Sequence, residues 1–87
     1  MKKEVIKFYS NGCTPCKQYG PVFEKVKQDL QGEIIFTEIN VENDPENLTG
    51  HYKVKGIPHT VILINNQEIK KHSGGMTEEQ LSQFILN

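Results

Sequence analysis

Short apolar runs alternate with stretches of helical periodicity along this chain. Residues 5–9 and 34–39 are rich in β-branched and aromatic side chains, which favours two β-strands. Between them, the spacing of apolar residues from Thr14 to Leu30 predicts a helix that ends at Gly32. The order strand, helix, strand is typical of a parallel β-α-β unit.

The second half of the chain predicts a short helix and a hairpin. Asp44-Pro45 supplies an N-cap and a helix-starting proline for a helix that ends near Tyr52. Strands over 60–64 and 67–71 flank Asn65-Asn66, a pair that tolerates the positive φ of a tight turn. The two strands are therefore expected to be antiparallel.

A capping box, Thr77-Glu78-Glu79-Gln80, predicts the start of a last helix. The apolar residues after it share one face, which indicates packing against the sheet. The whole pattern predicts an α/β fold, a four-stranded mixed β-sheet with helices on both faces. Residues 1–87 are expected to form a single domain, because this length holds one modest core.

Composition and charge exclude several classes of function. The formal net charge is −1 and the signs are interspersed, so no basic stripe is offered to nucleic acid. No apolar run is long enough to span a membrane. Charged residues interrupt segment 1–7, which cannot supply the apolar core of a signal peptide. We therefore expect a cytoplasmic monomer that binds neither nucleic acid nor membrane.

The two cysteines of the chain stand in Cys13-Thr14-Pro15-Cys16, just after the first strand and at the start of the first helix. Backbone N–H groups and the positive end of the helix dipole stabilise a thiolate at the first position, so Cys13 is the predicted nucleophile. Cys16 lies one helical turn later and is the predicted resolving thiol. A structural staple is disfavoured, because so small a loop constrains the unfolded chain little.

Several motifs resemble the thioredoxin family, namely Cys13-Thr14-Pro15-Cys16-Lys17, Pro21, Asn40-Val41-Glu42, Gly56-Ile57-Pro58 and the glycine before the last helix. The resemblance runs almost end to end and lacks only the extra N-terminal strand and helix of a full thioredoxin. It implies a thioredoxin fold and a thiol–disulfide oxidoreductase that reduces protein disulfides. It further implies no cofactor beyond a redox-active Cys13–Cys16 disulfide, and thioredoxin reductase or glutathione as electron donor.

The same resemblance implies a second element of the site. In that family the peptide bond before the proline of Gly56-Ile57-Pro58 is cis and lies against the dithiol, and the backbone before it pairs with an extended substrate segment. Main-chain pairing suits a broad range of protein substrates. The substrate-binding residues implied in this way are Gly12, Thr14, Pro15, Ile57, Pro58, His59 and Gly75.

Two charged positions depart from the thioredoxin pattern. Lys7 and Glu38 stand where thioredoxins commonly carry a buried Asp and a Lys. The signs of the two charges look reversed relative to the family. This reversal would change which of the two residues can accept a proton from Cys16, and it implies a role for the pair in proton transfer or pKa tuning. The alternative is two strand side chains that extend into water. Without the N-terminal strand, 34–39 becomes an edge strand, so Glu38 is expected to be the wetter residue.

Two more departures concern the surroundings of the sulfurs. Gly12 stands where thioredoxins usually have Trp, so a flat apolar contact for partners is missing. His59 replaces the usual Thr and is expected near the sulfurs, where a protonated imidazole would favour the Cys13 thiolate, only in part at neutral pH. The alternative is a solvent-facing histidine beside the site.

Other classes of function are less favoured by the sequence. Gly74-Gly75 before Thr77 resembles the glutaredoxin segment that holds the carboxylate of glutathione on backbone amides. Against a glutathione-dependent reductase, the loop is Thr14-Pro15 where glutaredoxins commonly have Pro-Tyr. A metal or iron–sulfur site would need further ligands from another chain or from His59, and no metal is expected. A non-catalytic binding module predicts loss of a cysteine, and both are present.

Overall fold

Four strands and three helices follow one another in the order β-α-β-α-β-β-α in the computed structural model, which describes residues 2–30 and 32–87. The elements are β1 (Lys3–Tyr9), α1 (Thr14–Leu30), β2 (Ile34–Asn40), α2 (Leu48–His51), β3 (His59–Ile64), β4 (Gln67–Ser73) and α3 (Glu78–Leu86). Each strand is one or two residues longer than the apolar runs predict, because polar residues at the strand ends continue the hydrogen-bonded pairing.

The strands form a mixed sheet in the order β2-β1-β3-β4 within the described residues. β1 pairs with β2 in parallel and with β3 antiparallel, and β3 pairs with β4 antiparallel. In this register Lys7 lies opposite Glu38, and His59 lies between Phe8 and Ser73. The predicted four-stranded mixed sheet is confirmed. The end of β1, the start of β3 and the end of β4 meet at one end of it.

Alternation along the central strands divides the core between two faces. Val5 and Ile62 pack with α1 and α3, whereas Ile6 and Val61 pack with α2 and the loops beside it. Full burial of an aliphatic side chain contributes about 1.5–3 kcal/mol. The helices therefore cover both faces, as predicted, and the site is left at one end of the sheet. Within the described residues, no helix combines the length and the apolar character that crossing a membrane requires.

The short helix α2 begins later than the sequence predicts. Asp44 accepts hydrogen bonds from the backbone N–H of Leu48 at 3.0 Å and of Thr49 at 2.7 Å, so it does stabilise the start of the helix. Asn47 has φ 53°, a left-handed conformation that does not fit inside a right-handed helix. The predicted start at Pro45 is wrong, because the chain turns at Asn47 before the helix begins.

The hairpin turn and the cap of the last helix are confirmed. Asn65 and Asn66 have φ values of 51° and 69°, the left-handed pair that a tight hairpin turn requires. Thr77 Oγ1 accepts a hydrogen bond from the Gln80 N–H at 3.1 Å, and Gln80 Oε1 accepts one from the Thr77 N–H at 2.9 Å. Nearby polar residues thus determine where the β3–β4 hairpin turns and where α3 begins.

Candidate active site

The buried stripe of α1 places one cysteine inside the protein and the other at its edge. Cys16, Tyr19, Phe23 and Val26 are all buried, at the spacing of three and four that turns one helix face to the sheet. Cys16 is 5% exposed, whereas Cys13, one turn earlier, is less buried. The periodicity of the helix therefore decides which sulfur faces a partner.

The two sulfurs form a disulfide, with the Cα atoms of Cys13 and Cys16 5.2 Å apart. The backbone N–H of Cys16 donates to Cys13 Sγ at 3.2 Å. This N–H is one of those that have no acceptor within the first turn of a helix. In the reduced protein, this donor and the helix dipole stabilise a thiolate at Cys13. The geometry thus favours Cys13 over Cys16 as the attacking sulfur.

The segment before β3 lies against the disulfide. The Ile57–Pro58 peptide bond is cis, as the resemblance implies. Cys13 Sγ is 3.8 Å from Ile57 O, a contact rather than a hydrogen bond because a disulfide sulfur carries no proton. Pairing of β3 with β1 begins at His59, so the backbone of Ile57 lies outside that ladder. An extended partner segment can therefore pair with it beside the sulfur.

Exposed residues of low bulk lie in the cysteine loop and along the groove beside it. Gly12, Thr14, Pro15 and Gly75 are exposed, and a Cβ on Gly12 would meet no heavy atom within 4 Å. Pro15 and Gly75 line the same groove of about 400 Å³, between the first turns of α1 and the start of α3. The structure thus brings together implied substrate-binding residues from two distant parts of the sequence.

Lys7 and Glu38 form the ion pair that their positions indicated. Lys7 Nζ is 2.8 Å from Glu38 Oε1, and the two side chains are 6% and 42% exposed. Glu38 is the wetter member, as its position on the edge strand β2 predicts. The alternative of two side chains that extend into water is wrong for Lys7, because its ammonium group lies over the rings of Phe23, at 4.9 Å, and Tyr9, at 5.1 Å.

The buried cysteine and Lys7 line one cavity. The cavity has a volume of about 250 Å³ and is lined by Lys7, Tyr9, Ser10, Asn11, Cys16 and Lys17. Two of these side chains are cationic and none is a carboxylate. The charged groups beside Cys16 are therefore both positive. They stabilise a thiolate on Cys16, and because they are ammonium ions they cannot accept its proton.

His59 is buried in the sheet and makes no hydrogen bond to either sulfur. It is 3% exposed, on the α2 face of the sheet, with its ring edge-on to Phe8. Its Nδ1 is bonded to Ser73 Oγ at 3.1 Å rather than to either sulfur. The solvent-facing alternative is wrong, because strand alternation turns His59 inward with Val61. Burial, and then the positive charge of Lys71, lower the pKa of His59 below its ordinary 6.5, so the imidazole is neutral at pH 7.

The buried neutral imidazole predicts a pH-dependent stability. A pKa lower in the folded than in the unfolded chain gives stability that is present above pH 6.5 and is lost as pH falls. Chemical denaturation between pH 7.5 and 5 should show a declining free energy of unfolding in the unmodified protein. His59→Leu should flatten this decline, and the exposed control His51→Gln should retain it. An equal decline in all three proteins would contradict the assignment to His59.

Tyr19 was missed as a site residue. Its hydroxyl is 2.8 Å from Thr60 Oγ1, and burial raises its pKa to about 12. This hydrogen bond joins the first turns of α1 to β3, the strand that follows Pro58, and so fixes the helix that carries the cysteines. The signal in the sequence was its position three residues after Cys16 on the buried face of α1.

The start of α3 does not favour a glutathione site. The N–H groups of Thr77 and Gln80 are both occupied by the capping box, so they are not available to a carboxylate. Among residues 2–30 and 32–87, no group of three or more Cys, His, Asp or Glu side chains is placed to hold a metal ion.

Comparison with known proteins agrees with this geometry. The thioredoxin family model matches residues 1–87. The chain belongs to the thioredoxin family. It is 31% identical over 84 residues to the thioredoxin of Mycoplasmoides gallisepticum, covering 97% of this chain and 82% of that one. It is 27% identical over 84 residues to the thioredoxin of Buchnera aphidicola subsp. Baizongia pistaciae, covering 97% and 76%.

Solved thioredoxin structures have the same fold. The structure of Fasciola hepatica thioredoxin superposes with a TM-score of 0.87 at 25% identity, over 97% of this chain and 78% of that one. Drosophila melanogaster Deadhead, a germline-specific thioredoxin, gives 0.86 at 28% identity, over 95% and 77%. Together with the Cys13–Cys16 pair, these findings make the chain a protein disulfide oxidoreductase of the thioredoxin rather than the glutaredoxin type.

Proposed function

We propose that the protein reduces disulfides of other proteins in two thiol exchanges, with Cys13 first. The Cys13 thiolate attacks one partner sulfur, the partner S–S bond breaks, and the second partner sulfur leaves as a thiolate that takes up a proton. Cys16 then loses its proton and attacks Cys13 Sγ, which releases the first partner sulfur. Two electrons pass to the partner, and the Cys13–Cys16 bond forms. The observation that carries this order is the Cys16 N–H donated to Cys13 Sγ.

The backbone around the cis proline is proposed to hold the partner. Ile57 lies outside the strand ladder and its carbonyl contacts Cys13 Sγ, which supports strand-like pairing with an extended segment. Gly12, Thr14 and Pro15 border the nucleophile, and Gly75 borders the groove beyond Pro15. Pairing through the main chain at Ile57 and Pro58 would accept many sequences.

We assign Lys7 to the second exchange. Its ammonium group shares a cavity with Cys16, and a nearby cation favours the thiolate over the thiol. Since an ammonium ion cannot accept a proton, the Cys16 proton leaves to solvent through this cavity. Glu38 holds Lys7 in place through their ion pair. Its carboxylate compensates the buried ammonium group for the water that it loses on folding.

The remaining features of the proposal concern its cellular setting. The Cys13–Cys16 couple must be reduced again after each turnover, which requires a reducing compartment, and we place the protein in the cytoplasm as a single-domain monomer. Thioredoxin reductase is the proposed electron donor, in preference to glutathione, because the N–H groups of the Thr77 capping box are already occupied. We propose that the dithiol is sufficient, without a metal or an organic cofactor.

A coupled assay tests the electron donor. The protein is mixed with a disulfide-containing protein substrate and NADPH, in one arm with thioredoxin reductase and in the other with glutathione and glutathione reductase. We expect NADPH oxidation that depends on this protein in the reductase arm, and background rates in the glutathione arm. The reverse result would show a glutaredoxin-type donor and would contradict the proposal.

A further inference from the structure

A basic cleft lies on the α2 face, at the same end of the sheet as the disulfide. It has a volume of about 410 Å³ and is lined by Lys53, Lys55, His59, Lys71 and Ser73. Two of the lysines come from the loop that leads into the cis proline, and the third comes from β4. The fold thus brings three ammonium groups from two segments to one concave site.

The positive charge of this cleft is not neutralised within the described part of the chain. Lys7 and Lys25 form ion pairs, with Glu38 and Asp29, whereas the three lysines of the cleft form none. Burial lowers the pKa of His59 and the negative charge of Glu68 on β4 partly opposes this shift, but Glu68 is not among the residues that line the cleft. The cleft is therefore complementary to an anion brought by a partner.

His59 lines the cleft and carries a buried polar atom without a partner. The residue is only 3% exposed, and its Nδ1 is bonded to Ser73 Oγ. Its Nε2 is buried and has no hydrogen-bond partner among the described residues. If the Ser73 hydroxyl donates to Nδ1, the proton of the neutral ring is on Nε2, which then needs an acceptor. Because Nε2 is closed off from the surface, an anion in the cleft faces the three lysines rather than this atom.

The cleft adjoins the place where a partner segment would pair. His59 directly follows Pro58, and the N–H of Gly74, next to Ser73, donates to Pro58 O at 2.8 Å. One residue earlier in the same segment, Ile57 O is 3.8 Å from Cys13 Sγ. At about 3.3 Å per extended residue, a chain paired with Ile57 reaches the cleft within a few residues of its own cystine.

We propose that this cleft selects protein disulfides that carry acidic side chains close to the reacting cystine. A Glu or Asp of the partner enters the cleft, where Lys53, Lys55 and Lys71 attract its carboxylate. This preference for acidic partners acts in addition to the backbone pairing at Ile57, which tolerates many sequences. It rests on the proposed reduction of protein disulfides at Cys13. The three ammonium groups speed the encounter.

Three cystine peptides test the preference. They are identical except for Glu, Gln or Lys at the positions next to the cystine, and each is reduced by an excess of pre-reduced protein at low ionic strength. We expect the Glu peptide to react about tenfold faster than the Gln peptide, and the Lys peptide to be the slowest. The ratio should fall towards one in high salt, because exposed charges are screened.

Two matched triple variants separate the cleft from overall charge. Replacing Lys53, Lys55 and Lys71 together by Gln should reduce the Glu/Gln rate ratio below about twofold. The control replaces Lys2, Lys25 and Lys27 by Gln, removes the same three charges elsewhere on the surface, and should keep the tenfold ratio. Equal ratios in the two triple variants would overturn the proposal.

The outcomes of these experiments separate the cleft from the proposed function. If no peptide is reduced, the proposed function itself fails. Reduction of all three peptides at one rate would refute the cleft proposal alone.

Discussion

Cys13→Ser is expected to lower disulfide reduction to the rate of buffer alone, whereas Cys16→Ser should accumulate a stable mixed disulfide with the substrate. Cys13 is the less buried sulfur and receives the Cys16 N–H, so its thiolate alone can start the reaction. Cys16 is 5% exposed and faces the sheet, so a partner disulfide cannot reach it directly. Without Cys16, the first exchange still proceeds but nothing releases the partner.

The two cysteine variants serve as controls for each other, because each removes one thiol. Intact-mass spectrometry should show the adduct in Cys16→Ser alone, and peptide mapping should place it on Cys13. Circular dichroism of both reduced variants should match that of the reduced unmodified protein. An adduct on Cys16 in the Cys13→Ser variant would reverse the assigned order of the thiols.

Glu38→Gln is expected to lower the free energy of unfolding by about 1–3 kcal/mol, because it leaves the buried ammonium of Lys7 without its counter-charge. Lys7→Met should cost less than about 1 kcal/mol, since Met can pack between the rings of Phe23 and Tyr9. Glu38 is 42% exposed and can be solvated when Lys7 is absent. The double variant should therefore recover most of the stability that Glu38→Gln loses.

The same variants report on the second exchange. Lys7→Met should slow the release of a mixed disulfide at pH 7 and move its pH profile to higher pH, because the Cys16 thiolate loses a nearby cation. The exposed pair Lys25–Asp29 is the matched control, and its variants should leave both the stability and the profile unchanged. Two results would contradict this account. Equal losses of stability in Lys7→Met and Glu38→Gln would show that Lys7 does not depend on Glu38 more than Glu38 depends on Lys7, and an unchanged pH profile of release would show that the pair does not act on Cys16.

Local chemistry made much of the fold predictable. The capping box at Thr77, the left-handed Asn65-Asn66 turn and the helix over Thr14–Leu30 each follow from a few adjacent residues. The dithiol was predictable because both cysteines lie in one such segment, whose helical periodicity also buries Cys16.

Residues whose surroundings come from distant segments were not predictable in the same way. Residues 60–64 are almost uniformly apolar, so alternation could not show that His59 faces α2. Its partner Ser73 belongs to the next strand of the sheet and gave no signal of its own. Pro45 favours the start of a helix, but the left-handed conformation of Asn47 delays the start of α2 until after that residue. The burial of Lys7 needed the rings of Phe23 and Tyr9 in three dimensions.

The stoichiometry of a single turnover tests the central claim most directly. Reduced protein, freed of reductant, is mixed anaerobically with an excess of a cystine-containing peptide that has two distinguishable halves, and the peptide thiols and the protein mass are measured. We predict two peptide thiols for each protein molecule, and a protein mass lower by two hydrogens with no adduct. One peptide thiol with a lasting adduct would show that Cys16 does not resolve the mixed disulfide, and no peptide thiol at all would contradict disulfide reduction by this dithiol.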